Sequence, residues 1–316
     1  MGRQIVTDDA PLYARALRDL GNQHANAIVV DAGLATSMQT SLFQAAFPER
    51  YVNLGIAEAN AVGYASGLAR RGFRPIVHSF ANFLARRAHD QIAVSIALPR
   101  LRVLLVGGSC GIFDGRNGPS HFASDDLATF TALPGFTVYE PADGDDLQEA
   151  MREAMAEDGP SYVRLRRNGM RPGNGERRGG EGTHLVHAGG DPTAVTVVVI
   201  GNLLEEALTA VRILADEGIQ ADLFHVVRVK PLAIEAVLAS ARRSRRTVIV
   251  ENHSMVGGGA QAVTTALAGH GINVACFTLP DDFLPAGDPQ WLLAVTGLDA
   301  TSLADRIAAS LAERAA

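Results

Sequence analysis

The sequence predicts an α/β protein of two doubly wound domains with mainly parallel sheets, and three features carry that expectation. Short β-rich apolar runs alternate with alanine-rich helical patterns up to residue 165, give way to a polar, glycine-rich stretch, and resume at residue 195. Such alternation makes parallel sheets covered by helices. The chain is long enough for two ordinary cores, with 316 residues of which 47% are hydrophobic. The stretch between, NGMRPGNGERRGGEGTHLVHAGGDP, has little periodicity and reads as a connector.

In chain order, residues 27–30, 75–78, 101–106, 136–139 and 162–165 read as strands with helices between them. After the connector, 195–200, 221–227, 247–250 and 274–279 read as strands, with helices over 204–216 and 302–313. The expected division is a first domain over 1–168, a linker over 169–192 and a second domain over 193–316. Strands this short and apolar are buried on both faces, and ligands of such sheets bind at the carboxyl ends of strands. The loops after Val106 and Val250 are therefore the places to look.

Charge and cysteine content narrow the function. With 34 acidic and 28 basic residues the formal charge is -6, which gives no electrostatic footprint for nucleic acid or an anionic membrane. Cys110 and Cys276 are too few and too far apart for a disulfide framework or a thiolate metal site. Residues 1–10 carry Asp8 and Asp9, and no run of signal-peptide or membrane-spanning length occurs, so a soluble cytoplasmic protein is expected.

The segment 54–69, LGIAEANAVGYASGLA, reads as a helix of small and apolar residues around one ionisable group, Glu58. A carboxylate in such a place is a site candidate, a buried structural ion partner, or a helix-start carboxylate offsetting the dipole. Phe80 and Phe83 follow a strand at a spacing that suits a core or a ring-stacking site, with Arg86 and Arg87 next. The glycine-rich loop after the third strand delivers Asn117 and His121 to the strand's carboxyl end, either as exposed loop residues or as groups that bind a hydroxyl or move a proton. Asp125 and Asp126 read as the start of the next helix, and Arg242, Arg243, Arg245 and Arg246 as a solvated helix end. Gly257, Gly259 and Ala262 formally match a dinucleotide fingerprint, although six residues separate the strand from the first glycine.

Taken in order, NLGIAEANAV, SFANFLARRAHDQI, DGRNGPSHFASDD, YVRLRRN and VENHSMVGGGAQA resemble the pyrimidine-binding and C-terminal domains of the transketolase family of thiamine diphosphate enzymes. The resemblance implies that Glu58 hydrogen-bonds the ring nitrogen of the cofactor's aminopyrimidine, favouring the tautomer that takes the proton from the thiazolium carbon. It implies that Phe80, Phe83 and Arg86 surround the pyrimidine, with Phe83 stacking. It gives His121 a catalytic and substrate-binding role, with Asn117 at the position of the family's loop aspartate, Arg167 at its substrate-phosphate arginine and Ser37 near its phosphate-binding serine. Ser109 and Cys110 replace two further anion-binding side chains of that family.

A Gly-Asp-Gly motif followed by Asn-Asn, with which the family binds magnesium and the diphosphate, does not occur in the sequence. The chain is therefore similar to the smaller subunit of a split transketolase, completed by a large diphosphate-binding subunit, with Mg2+ held mainly by that partner and no metal ligand expected here. The resemblance implies a homodimer within a heterotetramer that moves a two-carbon ketol unit from a ketose to an aldehyde, on a sugar or sugar-phosphate substrate. The competing readings are the beta subunit of a 2-oxo-acid dehydrogenase, a non-catalytic scaffold with the same fold and, from Gly257 to Ala262, a nicotinamide oxidoreductase.

Overall fold

A computed structural model describes residues 11–167, 169–173 and 181–312. The described residues up to Cys110 and from Ala132 to Gly173 form one compact unit, and Gly111–Thr131 with the described residues from Glu181 onward form a second. Segment 111–131 lies within the expected first domain in sequence but packs with the second unit. Segment 111–131 follows the second unit because Ile112, Phe113 and Phe122 lie in the same hydrophobic cluster as Val197, Val199 and Leu292.

In the first unit, β1 (Ala27–Asp31), β2 (Tyr51–Asn53), β3 (Arg74–Phe80), β4 (Leu104–Gly108), β5 (Thr137–Tyr139) and β6 (Ser161–Leu165) run in the order β5-β6-β4-β3-β1-β2. All neighbours in this order are parallel. The strands β1, β3, β4 and β6 are buried along their whole length, as strands covered by helices on both faces are. The expected strand over 101–106 is shifted to Leu104–Gly108, since two glycines continue the ladder. Residues 51–53 were not expected as a strand, being only three residues long and partly exposed.

Helices cover the sheet on apolar stripes. In α1 (Leu12–Gln23) Tyr13, Ala16, Leu17 and Leu20 are buried at helical spacing. A short α2 (Ser41–Ala46) precedes β2, and α3 (Glu58–Arg70) links β2 to β3. The expected helix over 54–69 begins four residues later. Gly55 takes φ +71, and its amide donates to Asn53 Oδ1 at 2.9 Å, so the chain turns before it coils. Nor is α3 buried all round, because only Glu58, Ala61, Val62 and Ala65 are inside while Tyr64 is exposed. The short α4 (Ala81–Arg87) starts directly after β3, and α5 (His89–Gln91) runs on into a wide π-type turn over Ile92–Ala97.

Helix α6 (Asp126–Ala132), which belongs to the second unit up to Thr131, starts at Asp126 as expected. Back in the first unit, α7 (Gly144–Ala156) is capped by Asp143, whose carboxylate accepts the amides of Asp145 and Asp146 at 3.0 and 2.9 Å.

The second sheet has the order β12-β11-β8-β9-β7. It is built from β7 (Thr183–His187), β8 (Val195–Ile200), β9 (Ala221–Val226), β11 (Arg246–Ser254) and β12 (Val274–Leu279), and a short β10 (Arg228–Lys230) follows β9. The ladder is parallel except that β7 runs antiparallel to β9. Strand β7 corrects the connector reading of 169–192. Its five residues are too few to show a period, and their pairing with β9 supplies the order that composition does not. Residues 168 and 174–180 of that connector lie outside the described residues.

Helices α8 (Leu204–Asp216), α9 (Glu235–Ala241), α10 (Gly259–Ala268), α11 (Pro289–Thr296) and α12 (Ala300–Ala312) complete this unit. The arginine cluster after α9 is not wholly solvated, since Arg243 forms an ion pair with the buried carboxylate of Asp222.

Candidate functional site

The first sheet reverses its order at β1, whose neighbours are β2 on one side and β3 on the other. Open α/β sheets take ligands in the crevice outside the strand carboxyl ends at such a switch point. Glu58 starts α3, the crossover between β2 and β3, while Ser79 and Phe80 end β3 and Phe83 stands one turn on in α4. Glu58 is 3% exposed. Its Oε1 accepts the Ser79 hydroxyl at 3.2 Å, and Arg87 Nη1 donates to Oε1 and Oε2 at 3.3 and 3.4 Å. Two of the three sequence alternatives thus hold together, since Glu58 is both a helix-start carboxylate and an ion partner.

The same Arg87 guanidinium lies over Phe83, with Cζ 3.7 Å from the ring centroid. The Phe80 and Phe83 rings are 5.6 Å apart and tilted by 47°. The cation above the ring is Arg87, and its neighbour Arg86, expected near the same ring, is likewise exposed. In α4 residue 87 is i+4 to Phe83, a spacing at which side chains meet. This arrangement tests the fit of an aminopyrimidine. A planar group carrying N–H donors stacks on Phe83 and reaches the Glu58 carboxylate at once, which are the two contacts such a ring requires.

Arg167, just past β6, lies with Cζ 5.5 Å from the Phe80 centroid and donates to the Ser37 carbonyl at 3.3 Å. Ser37 is held in the turn after β1 by a buried network that sequence reasoning missed. Asp31 Oδ1 accepts the Leu34 amide at 2.6 Å, and Oδ2 accepts the hydroxyls of Thr40, at 3.0 Å, and Tyr51. The Nε2 of His78 stands 3.2 Å from Asp31 Oδ2, both side chains being fully buried. Burial alone would raise the Asp31 pKa, but the His78 imidazole, the Tyr51 hydroxyl and the Leu34 amide outweigh it and hold the carboxyl well below the usual carboxylate range. Burial first, and then the Asp31 charge, push Tyr13 up; burial and the Asp31 hydrogen bond do the same for Tyr51. The only sequence signal for this network was an aspartate ending a wholly apolar strand.

Glu58, Phe80, Phe83, Ser37 and Arg167 all belong to the first unit, whereas Asn117 and His121 belong to the second. Asn117 is exposed, and His121 is half-buried with its Nδ1 3.0 Å from the Ser120 hydroxyl. Around them the segment is fixed by Gly287, whose amide donates to Gly115 O at 2.9 Å, and by an Arg116–Asp288 ion pair at 3.6 Å.

The dinucleotide fingerprint is excluded by its surroundings. Glu251 Oε1 and Oε2 accept the amides of Gly259 and Ala260 at 2.7 and 3.0 Å, so a carboxylate already fills the helix start where a pyrophosphate would sit. Among the described residues no group of three His, Cys, Asp or Glu side chains could hold a metal ion, and no helix is long and apolar enough to cross a membrane.

Residues 9–172 match the model of the transketolase pyrimidine binding domain, and residues 186–303 match that of the transketolase C-terminal domain. The chain belongs to the transketolase family. Among its relatives is a 6-deoxy-6-sulfo-D-fructose transketolase subunit of Clostridium sp. (strain MSTE9), 38% identical over 258 residues that cover 81% of this chain and 79% of that one. A 1-deoxy-D-xylulose-5-phosphate synthase of Geobacter sulfurreducens is 33% identical over 311 residues, 96% of this chain but 48% of the synthase. Among solved structures, a split gene transketolase described as an inactive beta4 tetramer superposes with a TM-score of 0.82 at 33% identity, covering 95% of this transketolase-family chain and 97% of that chain. The C-terminal subunit of a split transketolase is thus the family member whose extent this chain fits.

Proposed function

We propose that this chain is the small subunit of a split thiamine diphosphate-dependent transketolase, active when joined to a large subunit that holds the diphosphate and its Mg2+. The observation that carries the reading is the buried Glu58 carboxylate sharing one planar partner with the face of Phe83. When bound, thiamine diphosphate supplies the nucleophilic carbon that adds to the donor ketose. Glu58 would hold a proton at the pyrimidine ring nitrogen, Phe83 would stack on the ring, and Phe80 would close its edge. The Arg87 guanidinium must leave both contacts for the ring to take them. His121 and Asn117 would orient substrate oxygens, and Arg167 near Ser37 would hold a terminal anion. A phosphate or a sulfonate suits Arg167 equally, and the clostridial relative is named as a transketolase subunit for a sulfo sugar.

Self-association through the α3 region is part of the same proposal. Ile56 just before α3 and Tyr64 within it are 78% and 43% exposed, and Val94 and Leu98 lie exposed on the 92–98 run packed against it. A structural neighbour, the split gene transketolase, is described as a beta4 tetramer.

Titration calorimetry of thiamine diphosphate with Mg2+ into this chain alone, and into its mixture with a candidate large subunit, tests the reading. Binding to the mixture alone, followed by ketol transfer, is the expected result. Decarboxylation of a 2-oxo acid without transfer would assign the dehydrogenase reading instead, and absence of binding in both cases would assign the scaffold.

A further inference from the structure

The second sheet also reverses its order, at β8, flanked by β9 on one side and β11 on the other. By the rule that locates ligands in open α/β sheets, the crevice outside the carboxyl ends of β8 and β11 should be a binding site. Here it holds the chain's own residues. Asn202, just past β8, and Glu251, Asn252 and His253 on β11 are all buried, and each makes a hydrogen bond within the unit. Glu251 caps α10. Asn252 Oδ1 accepts the Ile112 amide at 3.2 Å, while its Nδ2 donates to Asn202 Oδ1 at 3.1 Å. His253 Nε2 accepts the Leu127 amide at 3.2 Å, which leaves the ring proton on Nδ1, 2.7 Å from the Ser254 carbonyl. The Ser254 amide donates to Ser124 O at 2.8 Å.

These bonds grip the segment on both sides of Asn117 and His121. At the first grip Gly111 adopts φ +58, and a Cβ there would fall 2.1 Å from Asn252 Nδ2, so a glycine is required for the Ile112 amide to reach its acceptor. Between the grips the ends are closed by amide exchange between Gly111 and Ala123, at 3.0 and 3.2 Å. Buried amides and an imidazole are costly to leave unpaired, so they fix this arrangement against alternatives more sharply than apolar contact would.

We propose that Asn252 and His253 are positioning residues for segment 111–131, and that the ligand crevice of the second sheet serves as the mount for the loop that presents Asn117 and His121 to substrate. The inference rests on the proposed substrate role of His121, and the second unit is thereby made a working part of the reaction.

Hydrogen exchange on the intact chain tests the mount without any catalysis. Asn252→Ala should raise exchange of the Ile112 amide at least tenfold and loosen 111–127, with protection of β1 and β3 unchanged. Asn252→Asp, which keeps an acceptor for Ile112, should restore most of the protection. Gly111→Ala, which displaces the Asn252 amide without removing it, should give the Asn252→Ala pattern and serves where that variant does not fold. Wild-type protection of 111–127 in both Asn252→Ala and Gly111→Ala would overturn the proposal.

In the reconstituted complex Asn252→Ala should raise KM for the sugar about tenfold with cofactor affinity unchanged, and this effect should vanish in a His121→Ala background. A loss of the same size in that background would overturn the positioning role. A wild-type complex without ketol transfer would sink the proposed function, while the exchange data would still decide whether the mount exists.

Discussion

The two sheets of this chain share a parallel core and a reversal of strand order, yet they use the crevice at that reversal in opposite ways. In the first unit the groups gathered there include a buried carboxylate, Glu58, whose cationic partner Arg87 is itself 49% exposed, and an aromatic face, Phe83, covered by the same movable side chain. In the second, Glu251, Asn252 and His253 are fully buried and bonded to backbone amides of their own unit. Backbone amides cannot leave as an exposed arginine can. The difference teaches that a fold offers a place for a ligand and that the partners of its polar groups decide whether the place is used.

The strongest way to break this comparison is Glu58→Gln. The amide keeps the shape and the Ser79 contact but cannot carry the acid-base function, so the complex should assemble normally and lose about 10²–10⁴-fold in turnover. Steady-state kinetics beside analytical ultracentrifugation checks it, and normal turnover would remove the first crevice from the chemistry.

Next in size is Asp31→Asn, which attacks the network under the Ser37 turn rather than the site itself. Weakening the buried carboxylate that accepts from Leu34, Thr40 and Tyr51 should destabilise the first unit by about 1–3 kcal/mol at pH 7. The sign with pH follows from the depressed carboxyl. Its contribution is complete above the unfolded carboxylate value of about 4 and is lost as pH falls toward the folded value. Urea denaturation should therefore show a gap between wild type and variant that is constant from pH 7 to 5 and closes at lower pH. A gap that widened on acidification would refute the assignment.

Glu251→Gln does the corresponding thing to the second crevice. Removing the charge that meets the Gly259 and Ala260 amides should cost about 1 kcal/mol of stability in that unit, measured by denaturation. It should not create affinity for a nicotinamide dinucleotide in a fluorescence titration, because segment 111–131 still fills the crevice.

The sequence made the α/β class and the lone Glu58 legible, because periodicity and an isolated charge among small residues are local signals. Arg86 and Arg87 stand i+3 and i+4 to Phe83, and both spacings bring side chains together, so the sequence alone does not say which guanidinium covers the ring. The Asp31 network was illegible because Asp31, Thr40, Tyr51 and His78 come from different segments that only the folded sheet assembles. The allegiance of residues 111–131 was hidden for a related reason. Ile112 and Phe122 look like any loop apolar residues until the core that receives them is known.

The smallest predicted effect concerns the outer face of α3, where a Cβ added at Gly63 or Gly67 would meet nothing within 4 Å. Glycine inside a helix costs about 0.5–1 kcal/mol relative to alanine, so in a monomeric chain Gly63→Ala should be stabilising by about that amount. If the face packs against a second copy, as the proposed assembly requires, the added methyl must instead enter an interface shaped for close approach. Dilute denaturation should then show the gain, while sedimentation at higher concentration shows self-association weakened several-fold. A variant that is more stable and associates as well as wild type would place the self-association surface elsewhere. That result would leave the Glu58 crevice intact as a site but would remove α3 as the contact beside it.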